Sequence, residues 1–165
     1  MSDLPPLPNG APNPPPQEAP QGPLVLNLQY TKDLSFEVPG APEIFATLRE
    51  QPRVDIQLDV QARPIQEGNN VFEVSLQIRA DAQADGKPCF IAELVYCGIF
   101  TISVPQDQLE PVLLVECPRL LFPFARNILA DVTRDGGFPP VMLAPIDFVA
   151  LWQSRRGEAA GIATA

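Results

Sequence analysis

From Leu24 to Val38 the chain alternates. The even positions read Leu24, Leu26, Leu28, Tyr30, Lys32, Leu34, Phe36 and Val38, and the odd ones Val25, Asn27, Gln29, Thr31, Asp33, Ser35 and Glu37. Apart from Lys32 and Val25, one set is apolar and the other polar. Successive side chains of an extended strand point to opposite faces, so this period of two predicts a long strand with one buried and one wet face. The parity recurs at Val54, Ile56, Leu58 and Val60 against Asp55, Gln57 and Asp59, and at Phe72, Val74, Leu76 and Ile78 against Glu73, Ser75, Gln77 and Arg79.

Strands are expected at about 24–38, 54–62, 71–81 and 89–102. Glu67-Gly68-Asn69-Asn70 and Asp85-Gly86-Lys87 are turn signals, which make the last three strands consecutive antiparallel neighbours. Pro39-Gly40-Ala41-Pro42 ends the first strand, which joins through a longer crossover in a Greek-key arrangement. Gly98 is expected at a bulge or bend.

The remainder reads as helical: a short helix over Gln106–Glu116, a longer one from Pro118 to about Arg134 stopped by Gly136-Gly137, and a last one at about 147–155 capped by Asp147. The longer helix carries two apolar stripes, one of Phe122, Ala125, Leu129 and Val132, the other of Leu121, Phe124 and Ile128. An arc that wide has two surfaces to cover, the sheet and a second subunit. The expected organisation is a proline-rich disordered arm over 1–23, holding nine of the 21 prolines, an α+β domain over 24–155, and a flexible tail over 156–165.

Composition narrows the function. The formal charge of −9 argues against nucleic acid and anionic membrane as partners and favours a basic one. Absence of histidine removes the commonest general base and metal ligand. The three cysteines, Cys89, Cys97 and Cys117, lack metal-ligand spacing and read as small buried hydrophobes of a reducing compartment. The start has no signal-peptide pattern and no apolar run reaches membrane-spanning length, so the cytoplasm is the expected location. Asp131 and Asp135 could serve as a catalytic carboxylate pair, but their spacing reads better as a solvated helix end. No enzyme activity and no cofactor are expected.

Tyr30-Thr31-Lys32-Asp33-Leu34-Ser35-Phe36-Glu37 with Pro39 and Pro42, and Gly98-Ile99-Phe100, resemble blocks of the SecB protein-export chaperones. So do Cys117-Pro118, Leu121-Phe122-Pro123-Phe124-Ala125-Arg126, Gly137-Phe138-Pro139 and Leu143-Ala144-Pro145, in the family's order. The resemblance implies a four-stranded antiparallel sheet with helices on one face, assembled as a dimer of dimers. It implies ATP-independent holding of unfolded secretory preproteins and their delivery to the SecA ATPase. It places Asp33, Glu37, Ile91 and Glu93 where the family contacts the short, basic, zinc-binding C-terminus of SecA; the zinc belongs to that partner.

The residues offer a parallel reading. By parity Asp33, Glu37, Asp55, Asp59, Glu73 and Glu93 share one side of the sheet. Acids without interleaved lysines are expected to leave an unneutralised field that captures a basic segment. Client binding needs a separate apolar surface, for which Phe45, Leu48, Val54, Ile56, Leu58, Phe138, Met142 and Leu143 are candidates. Other readings on the same scaffold are a chaperone dedicated to one partner, such as an antitoxin, and a purely structural oligomer.

Overall fold

A computed structural model describes residues 22–164. Four strands, β1 (Leu24–Glu37), β2 (Arg53–Pro64), β3 (Val71–Ala84) and β4 (Lys87–Ile102), form one antiparallel sheet in the order β1-β4-β3-β2. β2, β3 and β4 are successive hairpin arms and β1 returns beside β4, the expected Greek key. The proline-rich arm lies outside the described residues, except positions 22 and 23.

The apolar parity is used as the sequence predicts on three strands. Val74, Leu76, Ile78, Ala80 and Ala82 of β3 and Phe90, Ala92, Leu94, Tyr96, Phe100 and Ile102 of β4 are buried on one face. On β2 the same face carries Val54, Ile56, Leu58 and Val60.

β1 departs from simple alternation. Its pairing with β4 slips between Leu26 and Leu28 and again between Thr31 and Asp33. Each bulge inserts one residue and reverses the strand's facing. Leu26 therefore sits opposite core-facing Phe100, while Leu28 sits opposite Ile99 on the outer face and is 58% exposed. Tyr30 also turns outward, and the second bulge restores the original parity for Asp33, Leu34, Phe36 and Glu37. Gly98, expected at a bulge, lies instead in regular register: a Cβ there would come within 2.6 Å of Phe100 Cε2 and 2.9 Å of Leu121 Cδ2. The glycine is needed for close helix-on-sheet packing.

Helical backbone begins with α1 (Glu43–Thr47) in the crossover and resumes at α2 (Gln106–Pro111). It continues through a π segment (Val112–Glu116) into α3 (Cys117–Asp135), rather than breaking into the two helices expected. The Cys117 N–H reaches back five residues to the Val112 carbonyl, and Pro118, the next residue, has no N–H to donate; the wide turn accommodates that loss. α3 lays Leu121, Phe122, Ala125 and Leu129 into the core.

α3 ends in a Schellman motif. Gly137 has φ +91° and its N–H bonds the Arg134 carbonyl at 3.0 Å, while Phe138 N–H bonds the Thr133 carbonyl at 3.1 Å. This turns Phe138 back onto Phe90, with ring centroids 5.0 Å apart. Buried Thr133 then fixes the following loop by accepting the Val141 N–H at 2.9 Å on its Oγ1. The last helix, α4 (Phe148–Thr164), is capped by Asp147 Oδ1 on the Ala150 N–H at 3.0 Å. It runs well past residue 155, so the segment expected as a flexible tail is helical through Thr164.

Candidate functional site

The helix-free face of the sheet gathers the charged residues. On this outer face β1 contributes Asp33, Ser35 and Glu37, β4 contributes Ile91, Glu93 and Val95, β3 contributes Glu73, Gln77, Arg79 and Asp81, and β2 contributes Asp55, Gln57, Asp59 and Arg63. The register brings four sequence candidates together. Glu37 sits directly opposite Ile91, and Ser35, between Asp33 and Glu37, sits opposite Glu93. Glu93 thus sits diagonally between Asp33 and Glu37 across the β1–β4 pair, with Ile91 beside Glu37 and Glu93 and with Val95 opposite Asp33. This patch exists because the second β1 bulge turns Asp33 outward again.

The expectation of an unneutralised field over the whole face is corrected by arginines interleaved at the same odd positions. Arg79 pairs with Asp81 at 2.8 Å and with Glu93; Arg53 pairs with Asp55 at 3.5 Å; Arg155, reaching from α4, pairs with Asp59. Among the described residues no ion pair reaches Asp33 or Glu37. Asp33 and Glu37 on β1 are therefore the carboxylates of this face left without an ion-pair partner among the described residues.

Glu73 is not part of an accessible acidic surface. Its side chain is only 4% exposed, because Tyr30 Oη donates to it from above, Arg63 Nε donates at 2.9 Å and Lys32 Nζ at 3.2 Å. The Tyr30 hydrogen bond, with help from Arg63 and Lys32, outweighs burial and brings its carboxyl from the ordinary 4.5 down to about 2. Burial and the same bond push the Tyr30 phenol up. Nearby, Ser75 Oγ and Cys97 Sγ are in hydrogen-bond contact at 3.3 Å. Parity could place Glu73 on this face but carried no signal that three donors converge on it.

The apolar candidates divide. Phe138 and Leu143 are core residues, 4% and 6% exposed, and present no open surface within the chain. Phe45 lies over Phe138 with centroids 5.3 Å apart and is 45% exposed. Ile56 and Met142 are exposed, and Leu48, Val54 and Leu58 are half-buried against the core. Phe36, Phe90, Phe138 and Phe45 form a continuous aromatic stack running from β1 to α1.

On α3, Leu120 and Phe124 form an uncovered apolar row beside half-buried Ile128. Phe124 stacks on Tyr96 at 6.3 Å but keeps 46% of its surface exposed. Asp131 and Asp135 both pair with Arg134, at 3.1 and 3.7 Å, as an exposed helix end does. All three cysteines are free and buried. Among the described residues no helix is long and apolar enough to cross a membrane.

Comparison with known proteins bears directly on this arrangement. The family described as preprotein translocase subunit SecB matches residues 17–159. The protein-export protein SecB of Granulibacter bethesdensis is 62% identical over 150 residues, covering 87% of this chain and 86% of its own. That of Acidiphilium cryptum is 61% identical over 150 residues, covering 82% and 90%. Among solved structures, a SecB-like chaperone of Mycobacterium tuberculosis, in complex with a peptide from the HigA1 antitoxin, superposes with a TM-score of 0.63 at 14% identity. The match covers 75% of this chain and 91% of that one, a likeness of fold.

Proposed function

The chain belongs to the SecB family of protein-export chaperones, and on that premise we propose that it is an ATP-independent holdase which binds unfolded secretory preproteins in the cytoplasm and delivers them to SecA. The observation that carries the proposal is the row of carboxylates Asp33, Glu93 and Glu37 along the β1–β4 pair on the face free of helices, with Ile91 opposite Glu37. The carboxylates attract the basic, zinc-bearing C-terminus of SecA and Ile91 offers it one apolar contact. Exposed pairs of this kind contribute about 0–1 kcal/mol each, so several must act together and the contact weakens with salt.

Clients use the other side of the molecule. Phe45, Leu48, Val54, Ile56, Leu58 and Met142 offer apolar surface on and beside the crossover and β2, with Phe138 and Leu143 as the packed floor beneath. Covering one leucine-sized client side chain contributes roughly 1.5–3 kcal/mol, and a flexible client touching several such places gains avidity. The uncovered Leu120 and Phe124 row on α3 supports assembly with further copies, as a dimer of dimers. Neither nucleic acid nor membrane insertion enters this account.

The test is refolding of a slow-folding precursor without ATP. A stoichiometric excess of the protein is expected to delay refolding by binding the unfolded chain and lowering its free concentration. Unchanged kinetics would contradict the proposal. The antitoxin peptide carried by the M. tuberculosis structure favours one second reading, a chaperone dedicated to a single partner. A pull-down dominated by one client would favour that reading over a general exporter.

A further inference from the structure

Arg79 occupies the middle of the outer face, opposite Gln57 on β2 and opposite Glu93 on β4. Its Nε and Nη2 donate to the two carboxylate oxygens of Asp81 at 2.8 and 3.2 Å. Its remaining arm, Nη1, donates to Glu93 Oε1. The guanidinium is therefore anchored by a two-point fork on Asp81 and reaches Glu93 with one further donor. All three side chains are partly open to solvent, so a visiting ion can compete for them. Arg79, Asp33, Asp59 and Glu93 line the same shallow cavity of about 500 Å³, and a cation entering it meets the Arg79 charge beside the acids.

We propose that Arg79 is an internal competitor that sets the affinity of this acidic surface for its cationic partner. The inference rests on the reading that Asp33, Glu37 and Glu93 receive the basic segment. In the free protein Arg79 neutralises Glu93, so the visitor is drawn first to Asp33 and Glu37. Glu93 Oε1 becomes available only when Nη1 lets go. Because Asp81 keeps its fork on the guanidinium, release costs Arg79 one donor rather than its whole anchorage. The arrangement holds affinity below what three free carboxylates would give, which suits a partner that must be released.

The test is a titration of the full-length protein with a zinc-loaded synthetic peptide of the basic SecA C-terminal segment, read by fluorescence anisotropy at low and high salt. Arg79→Gln is expected to bind about two- to fivefold more tightly at low salt, with the gap closing as salt rises. Arg79→Lys keeps the charge and is expected to stay near the wild type. Glu93→Gln is expected to cost more affinity in the Arg79→Gln background than alone, because the competitor is gone. Binding by Arg79→Gln that equals or falls below a wild type which itself binds would overturn the inference alone. A wild-type protein that fails to bind the peptide would remove the proposed partner site and the inference with it.

Discussion

Tyr30 on β1 reaches across β4 to donate its phenolic hydrogen to Glu73 on β3. The contact spans two strand intervals and exists only because the bulge after Leu26 turns Tyr30 outward. It places an aromatic lid over a carboxylate that Arg63 and Lys32 also hold, so charge on the outer face is sorted. Glu73 is consumed internally, while Asp33 and Glu37 remain open.

The Glu73 cluster gives a pH signature. The carboxyl is held at about 2 in the folded protein against 4.5 ordinarily. A lowered folded value means its stabilisation is complete above pH 4.5 and disappears as pH falls towards 2. A shift of that size corresponds to on the order of 3 kcal/mol. Glu73→Gln is expected to destabilise the protein at pH 7 and to show a shallower acid limb than the wild type. Urea unfolding at fixed protein concentration between pH 2 and 7 measures both.

Two glycines should respond in opposite ways to alanine. Gly98→Ala places a methyl group 2.6 Å from Phe100 Cε2 under α3 and should cost about 1–3 kcal/mol through displaced packing. Gly157 lies within α4 with open space around its Cβ position, so Gly157→Ala should stabilise by about 0.5–1 kcal/mol through helix propensity. Thermal unfolding of the two variants provides the comparison.

The thiols should be silent in the native state. Cys89, Cys97 and Cys117 are buried, and burial, aided by Glu116, pushes the Cys117 thiol up to about 12. A neutral, inaccessible thiol is a poor nucleophile. Alkylation at pH 8 is expected to label none of the three cysteines in the folded protein and all of them in denaturant.

Much of this architecture is legible in the chain itself. Turn residues at Gly68 and Gly86, both with positive φ, and the shared parity of β2, β3 and β4 specify three strands and their order. The β1 bulges are hidden because the second cancels the first, and the alternation from Leu24 to Val38 is interrupted only at Val25 and at Lys32, the residue the second bulge inserts. Leu28 and Tyr30 look buried by parity and face outward by register. Arg53 with Asp55 and Arg79 with Asp81 stand two residues apart on one strand and could be read from the sequence, whereas the Arg79 contact to Glu93 depends on cross-strand register, which composition does not carry. Pro118 reads as a helix start because a missing N–H is tolerated there, and a π turn tolerates it equally. Phe138 and Leu143 read as open surface because Gly136-Gly137 announces where α3 stops but not that the turn folds Phe138 onto Phe90.

The most direct measurement is a paired titration of the Asp33→Ala, Glu37→Ala double variant with SecA and with an unfolded precursor. The account predicts that SecA binding falls about tenfold at low salt while precursor binding stays at the wild-type level. Equal loss of both, or undiminished SecA binding, would contradict the assignment of the β1 carboxylates to a partner surface separate from the client surface.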